Sequence, residues 1–115
     1  MALPKMTGNF DLTKDGINKA VTYVSPGAYN LEYAKDGTFY VERVGCSDVN
    51  LNGRLHDYEG QYKQFQYAYA DNAEQAFYME CELWHAYGGS NNPLHPARPA
   101  NTNYKCPVAG CKALL

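Results

Sequence analysis

Two groups of side chains in this 115-residue chain have the types and spacings that chemistry requires. The first centres on Glu80. Ala73, Ala76, Phe77, Leu83 and Trp84 stand at −7, −4, −3, +3 and +4 from it. On a helix this carboxylate therefore occupies the middle of an apolar stripe, whereas Glu74 and Glu82 lie off that face. A carboxylate turned inward is costly unless it is paired or bound to a cation. Its placement asks for a partner, either a divalent ion such as Mg²⁺ or the guanidinium of Arg54, and a purely structural Glu80–Arg54 pair meets the same demand. The second group lies toward the C-terminus. Lys105-Cys106-Pro107-Val108-Ala109-Gly110-Cys111 joins two thiols through a Pro/Gly turn, with His85 and His95 upstream. A Cys2His2 zinc site, a local disulfide and free thiols are all open to these residues. The stiff, basic run His95-Pro96-Ala97-Arg98-Pro99 could set Arg98 against the core or against a phosphate.

Such side chains need elements to hold them. Between Leu12 and Val24 the residues Ile17, Ala20, Val21 and Val24 recur at helical offsets, predicting a leading helix capped by Thr13 and ended by Ser25-Pro26-Gly27. Ala28 to Tyr33 and Thr38 to Gly45 are β-rich runs around Ala34-Lys35-Asp36-Gly37, whose Asp-Gly pair predicts a hairpin. Ser47 or Asp48 can cap a second, short helix with Leu51, Leu55 and Tyr58 on one stripe. Gly53 inside it costs up to about 1 kcal/mol relative to Ala. Lys63 to Ala70 alternates, with Phe65, Tyr67 and Tyr69 on one face and Gln64, Gln66 and Ala68 on the other, predicting a third strand. Asp71-Asn72-Ala73-Glu74 resembles a capping box and opens a helix that should run to about Tyr87 and stop at Gly88-Gly89. The stretch from Ser90 to Leu115 is rich in Pro and Asn and lacks a period, so something other than its own core must tie it down. The expected fold is α/β, a three-stranded antiparallel sheet with helices packed around it.

With these elements in place, a family pattern emerges. Pro26-Gly27-Ala28-Tyr29, on the first strand, resembles the Gly-x-Tyr motif of the GIY-YIG nuclease superfamily. Tyr40-Val41 falls where the second motif, Tyr-Ile-Gly, should begin, with Glu42 in place of the Gly; this register needs a small insertion around Val44 to Cys46. The alternative register ends the motif on Val44-Gly45 and puts Arg43 where Tyr is expected. Hairpin spacing favours the first. Arg54-Leu55 matches the Arg dipeptide of the next helix, and Ala76-Phe77-Tyr78-Met79-Glu80 matches Ala-x-x-x-Glu on the helix after. Some relatives carry a His four residues after the Arg; Tyr58 stands there, as Tyr does in the excision-repair enzymes, and His56 is expected to face solvent. The resemblance covers Ser25 to about Tyr87 and implies hydrolysis of DNA phosphodiester bonds with one Mg²⁺ or Mn²⁺. Its catalytic set would be Tyr29, Tyr40, Arg54 and Glu80. Glu80 would hold the metal, Arg54 the scissile phosphate, and Tyr29 would activate water or, as a phenolate, accept its proton. An unperturbed phenol near pKa 10 needs a cation's help for that. Alternatively, the tyrosines merely cover the sheet, and the fold is kept without cleavage as a module that binds nucleic acid or protein.

Composition limits the rest. With 45% hydrophobic residues the length suits one domain, divided as an N-terminal helical extension over 1–24, a nuclease-like domain over 25–89 and a tail packed on it over 90–115. Tyr occurs 11 times against 4 Phe and 1 Trp, which suits half-wet surfaces where a ring is buried and a hydroxyl finds a partner. A net charge of −2 gives no global pull on a polyanion, so DNA, expected to be branched or single-stranded, would be bound locally, with low intrinsic affinity or a protein partner's help. There is no apolar run of membrane-spanning length and no signal-peptide core, so a cytoplasmic protein with reduced Cys46, Cys81, Cys106 and Cys111 is expected.

Overall fold

The computed structural model describes residues 3–87 and 94–113. They form an α/β domain whose elements follow the order β1 (Thr7–Asp11), α1 (Lys14–Ala20), β2 (Gly27–Lys35), β3 (Thr38–Ser47), α2 (Leu51–His56), β4 (Gln64–Tyr69) and α3 (Ala73–Tyr87). The sheet has four strands in the order β1-β4-β2-β3, all neighbours antiparallel. This corrects the expected three. The additional strand, β1, pairs with β4 at the sheet's edge and exposes nearly every side chain, so no hydrophobic alternation marks it. The first 24 residues thus supply a strand as well as a helix.

Both faces of the sheet are covered. On one, α1 and α2 pack Ile17, Val21, Leu51 and Leu55 against Tyr29, Leu31, Phe65 and Tyr67; on the other, α3 lays Ala76, Met79 and Leu83 on Ala28, Val44 and Ala70. β2, between β4 and β3, is therefore buried continuously from Gly27 to Glu32 rather than on alternate residues. The β2–β3 turn is the expected one. Asp36 and Gly37 take φ of 53° and 78°, the left-handed pair that a two-residue hairpin needs and that Asp-Gly tolerates.

Helix boundaries differ in instructive ways. Thr13 caps α1 as expected, its Oγ1 accepting from the Gly16 N–H at 3.0 Å, but the helix ends at Ala20 and Val24 is 83% exposed. Asn50, not Ser47 or Asp48, caps α2 by accepting from the Gly53 N–H at 3.2 Å, while Ser47 Oγ accepts from the Asn50 N–H at 3.0 Å. At α3 the capping box sits one residue later than expected. Asn72 Oδ1 accepts from the Gln75 N–H at 2.8 Å, and Gln75 Oε1 reaches back to the Asp71 N–H at 2.5 Å. The Gly88-Gly89 stop lies outside the described residues. Residues 94–113 contain no helix or strand; Tyr104 packs on Phe77 and Tyr78 at ring separations of 6.1 and 6.2 Å. Arg98 donates to the Tyr104 carbonyl at 3.3 Å, a tie within the tail. Among the described residues, no helix is long and apolar enough to cross a membrane.

Candidate functional site

A polar cluster forms around the end of β3, the edge strand of the sheet. Tyr29 is 2% exposed, and its ring lies across Gly45, its partner on β3; a Cβ at Gly45 would collide with the Tyr29 hydroxyl and ring. Because β3 is an edge strand, the phenol reaches over Gly45 toward that edge. Two residues before Gly45, the Arg43 guanidinium lies 5.4 Å from the centre of the Tyr58 ring and hydrogen-bonds the Tyr58 side chain. Tyr29 hydrogen-bonds Tyr58 as well, with ring centroids 5.9 Å apart. From the opposite face Glu80, on α3, comes round the same edge. Its Oε1 accepts from the Cys46 thiol at 3.2 Å. Arg54, exposed on α2, is within electrostatic reach of Tyr29, Cys46 and Glu80.

The titration states follow from burial. Burial first, and then Tyr58, push the Tyr29 phenol well above its ordinary pKa, and the opposing charge of Arg54 does not reverse this. Tyr29 is therefore a neutral phenol that donates to Tyr58, not a phenolate. The Cys46 thiol is raised by burial and then by the adjacent Glu80 charge, so it keeps its proton and donates it to the carboxylate. Burial also raises Glu80, against the Cys46 bond and the charges of Arg43 and Arg54; Asp48 adds to the rise. The inward carboxylate thus has a thiol donor and two guanidinium groups around it.

Of the four residues singled out as catalytic, Tyr29, Arg54 and Glu80 come together and Tyr40 does not. Tyr40 pairs with Tyr33 across the hairpin, stacks on its ring at 5.4 Å and is 45% exposed. It stands four strand positions from Tyr29, about 13 Å along the hairpin at roughly 3.3 Å per residue. The tight turn sets this, since the Lys35–Thr38 pairing places Tyr40 opposite Tyr33, and the strand register shifts only beyond that pair. Glu32 pairs with Val41 and Leu31 with Arg43, so Glu42 is the extra residue of β3. Gly45, not Glu42, is the strand partner of Tyr29. Arg43 stands two residues before that Gly. Glu42 itself borders a shallow cleft with Tyr33, Gln61 and Tyr62. Cys46 and Asp48 carried no signal of their own in the sequence, although the hairpin with one extra residue would have pointed to Arg43. His56 is tied by both ring nitrogens, to Glu59 at 2.6 Å and Asn18 at 2.9 Å, and bridges α2 to α1.

The second group also assembles. His85, His95, Cys106 and Cys111 bring one ligand atom each to within 4.8 Å of one another and could hold a metal ion. No known protein family, curated protein or solved structure matches the chain.

Proposed function

We propose that the chain is a GIY-YIG-type endonuclease domain that hydrolyses DNA phosphodiester bonds at the β3 edge with one divalent ion. The observation that carries this proposal is the joining of Tyr29, Arg54 and Glu80, from three elements and both faces of the sheet, into one electrostatic cluster. Glu80, with Asp48 within reach, offers the hard oxygen donors that Mg²⁺ or Mn²⁺ prefers. A bound ion would polarise a phosphoryl oxygen and supply activated water. The protein's own side chains do the rest. Arg54 presents a planar fork to a non-bridging phosphate oxygen. Neutral Tyr29 gives its one O–H to Tyr58, so its hydroxyl oxygen is left to accept a hydrogen bond from the attacking water and position it, and Arg43 holds Tyr58 and so the Tyr29 hydroxyl in place. The soft donors His85, His95, Cys106 and Cys111 play no part in this chemistry.

Branched and single-stranded DNA should be nicked with Mg²⁺ or Mn²⁺. Glu80→Gln and Arg54→Ala should each lower the rate by about 100- to 1,000-fold, the scale for removing one transition-state contact, with the thermal transition retained. Tyr40→Phe should leave it unchanged. A second reading, a nuclease-fold module that binds nucleic acid or protein without cutting, draws on the protonated Tyr29 and the net charge of −2. Absence of nicking on every DNA and RNA form, with salt-sensitive binding that survives Glu80→Gln, would select it over the nuclease.

A further inference from the structure

We propose that His85, His95, Cys106 and Cys111 bind one Zn²⁺, which clasps the irregular C-terminal segment to the last turn of α3. The four ligand atoms come from three separate stretches of chain, yet all lie within 4.8 Å of one another. A tetrahedral zinc with Zn–N and Zn–S bonds of about 2.0 and 2.3 Å sets its ligand atoms roughly 3.3 to 3.8 Å apart. Closing onto the ion therefore needs side-chain shifts of about 1 Å and no change of fold. His95 Nε2 is already 3.5 Å from Cys111 Sγ.

What surrounds the four atoms is built for metal ligation. His95 Nδ1 lies 2.9 Å from the Pro96 carbonyl; as an N–H donor there, it fixes the tautomer that leaves the Nε2 lone pair for a metal. The Cys106 sulfur is a hydrogen-bond acceptor twice, from the Val108 backbone N–H and from the Cys81 side chain. Cys81 is fully buried, one helical turn before His85 on the same face of α3, so the helix supplies both a ligand and the thiol that supports another ligand. The turn between the two sulfurs is closed by the Cys111 N–H donating to the Val108 carbonyl at 3.1 Å, with Gly110 at φ 83°. Trp84 walls the site, its ring 5.2 Å from both His85 and His95.

The donor chemistry selects the ion. Two thiolates and two imidazoles suit Zn²⁺ and disfavour Mg²⁺ or Mn²⁺, which prefer oxygen. Binding sends the two thiol protons to solvent, and two thiolates, two neutral imidazoles and Zn²⁺ leave the site with no net charge. The tail also needs such a tie. Residues 94–113 form no ladder or helix, so few backbone hydrogen bonds hold them, and a metal joining His95, Cys106 and Cys111 to α3 fixes the segment at three points.

The test uses the full chain, purified under reducing conditions, stripped with a chelator and titrated with Co²⁺ and then Zn²⁺ alone. The expected results are one Zn²⁺ per chain by elemental analysis, d–d bands of tetrahedral Co²⁺ with thiolate charge transfer, and a fluorescence change at Trp84, the chain's one tryptophan, saturating at the same stoichiometry. Cys106→Ser, Cys111→Ser and His95→Gln should each lose the tetrahedral spectrum. Cys81→Ala should keep one ion per chain and bind it about 10- to 100-fold more weakly, the usual loss when an outer hydrogen bond to a ligand is removed. Should a variant fail to fold, the cobalt spectrum of the unmodified chain decides. An octahedral spectrum, a Cys106–Cys111 disulfide formed in preference to metal binding, or stoichiometric zinc retained by the Cys106→Ser/Cys111→Ser double variant would overturn the proposal.

Discussion

Gly45→Ala is the most direct probe of how the β3 edge is put together. A Cβ at residue 45 would meet the Tyr29 hydroxyl, Cζ and Cε2, the last at 2.9 Å. Ordinary carbon contacts begin near 3.5 Å, so the ring must move by about 1 Å. Tyr29 has little room to do so: it is 2% exposed and rests on Tyr58, which in turn carries Arg43. Overpacking of this kind costs about 1 to 3 kcal/mol, or roughly 4 to 12 °C in Tm for a domain of this size at about 4 °C per kcal/mol. The alanine has no unfavourable backbone to adopt, because Gly45 is ordinary strand, so a loss must come from the ring. Urea unfolding of a double-mutant cycle isolates it. In a Tyr29→Leu background the cost of Gly45→Ala should shrink to less than about 0.5 kcal/mol, since the colliding atoms are gone. An equal cost in both backgrounds, or none in either, would show that Tyr29 does not lie across Gly45.

Other expectations concern the buried polar row and the α2 cap. Glu32 is 4% exposed, one of its carboxylate oxygens has no hydrogen-bond partner, and burial raises its pKa above the ordinary 4.5. Because the folded value is the higher one, its contribution to stability is full below about pH 4.5 and is lost as pH rises through the folded value. Glu32→Gln should therefore be more stable at pH 7, by about 1 to 3 kcal/mol in urea unfolding, with the difference vanishing below pH 4.5; a loss at neutral pH would contradict this. Asn50→Ala should cost about 1 kcal/mol by removing the cap of α2, whereas Asp48→Ala, which removes one of the two caps expected from the sequence, should not; circular dichroism melts distinguish them.

Much of the fold could be read from residue pattern, and the exceptions have specific causes. The Asp36-Gly37 turn, the alternation of Phe65 and Tyr67, and the stripe around Glu80 were visible because each depends on local geometry. β1 was not, since Thr7–Asp11 joins the sheet through backbone bonds and only Phe10 of its side chains packs on the core, so no alternation marks it. Tyr40 was misplaced because the tight turn pairs it with Tyr33, four strand positions from Tyr29, while the partner of Tyr29 itself was off by one residue of register. Counting back from the Lys35–Thr38 pair sets Tyr29 against Val44, and only the bulge at Glu42 moves it to Gly45; the sequence around Glu42 has no Gly or Pro to announce that bulge. Tyr29, Arg54 and Glu80 were each visible singly, but their meeting depends on strand order, which residue periodicity does not encode. The His/Cys group could be named from its residue types, whereas its assembly needed the tail's path back to α3.

Strand order is also what lets so small a domain combine these groups. α2 and α3 cover opposite faces of the sheet, and across a central strand Arg54 and Glu80 would be separated by a full layer of side chains. β3 is an edge strand, and at Gly45 it has no side chain, so groups from both faces converge around it. An uncovered edge invites pairing with another chain. Here Arg43, Arg54, Asp48 and Glu80 place fixed charges along that border, which makes strand addition costly while leaving it open to a charged ligand. The same four charges sum to zero, so under the proposed function any attraction for phosphate would come from their arrangement rather than their sum. Under the same proposal, a ligand that brings its own cation would shift that balance at Glu80 and leave both guanidinium groups to the phosphate.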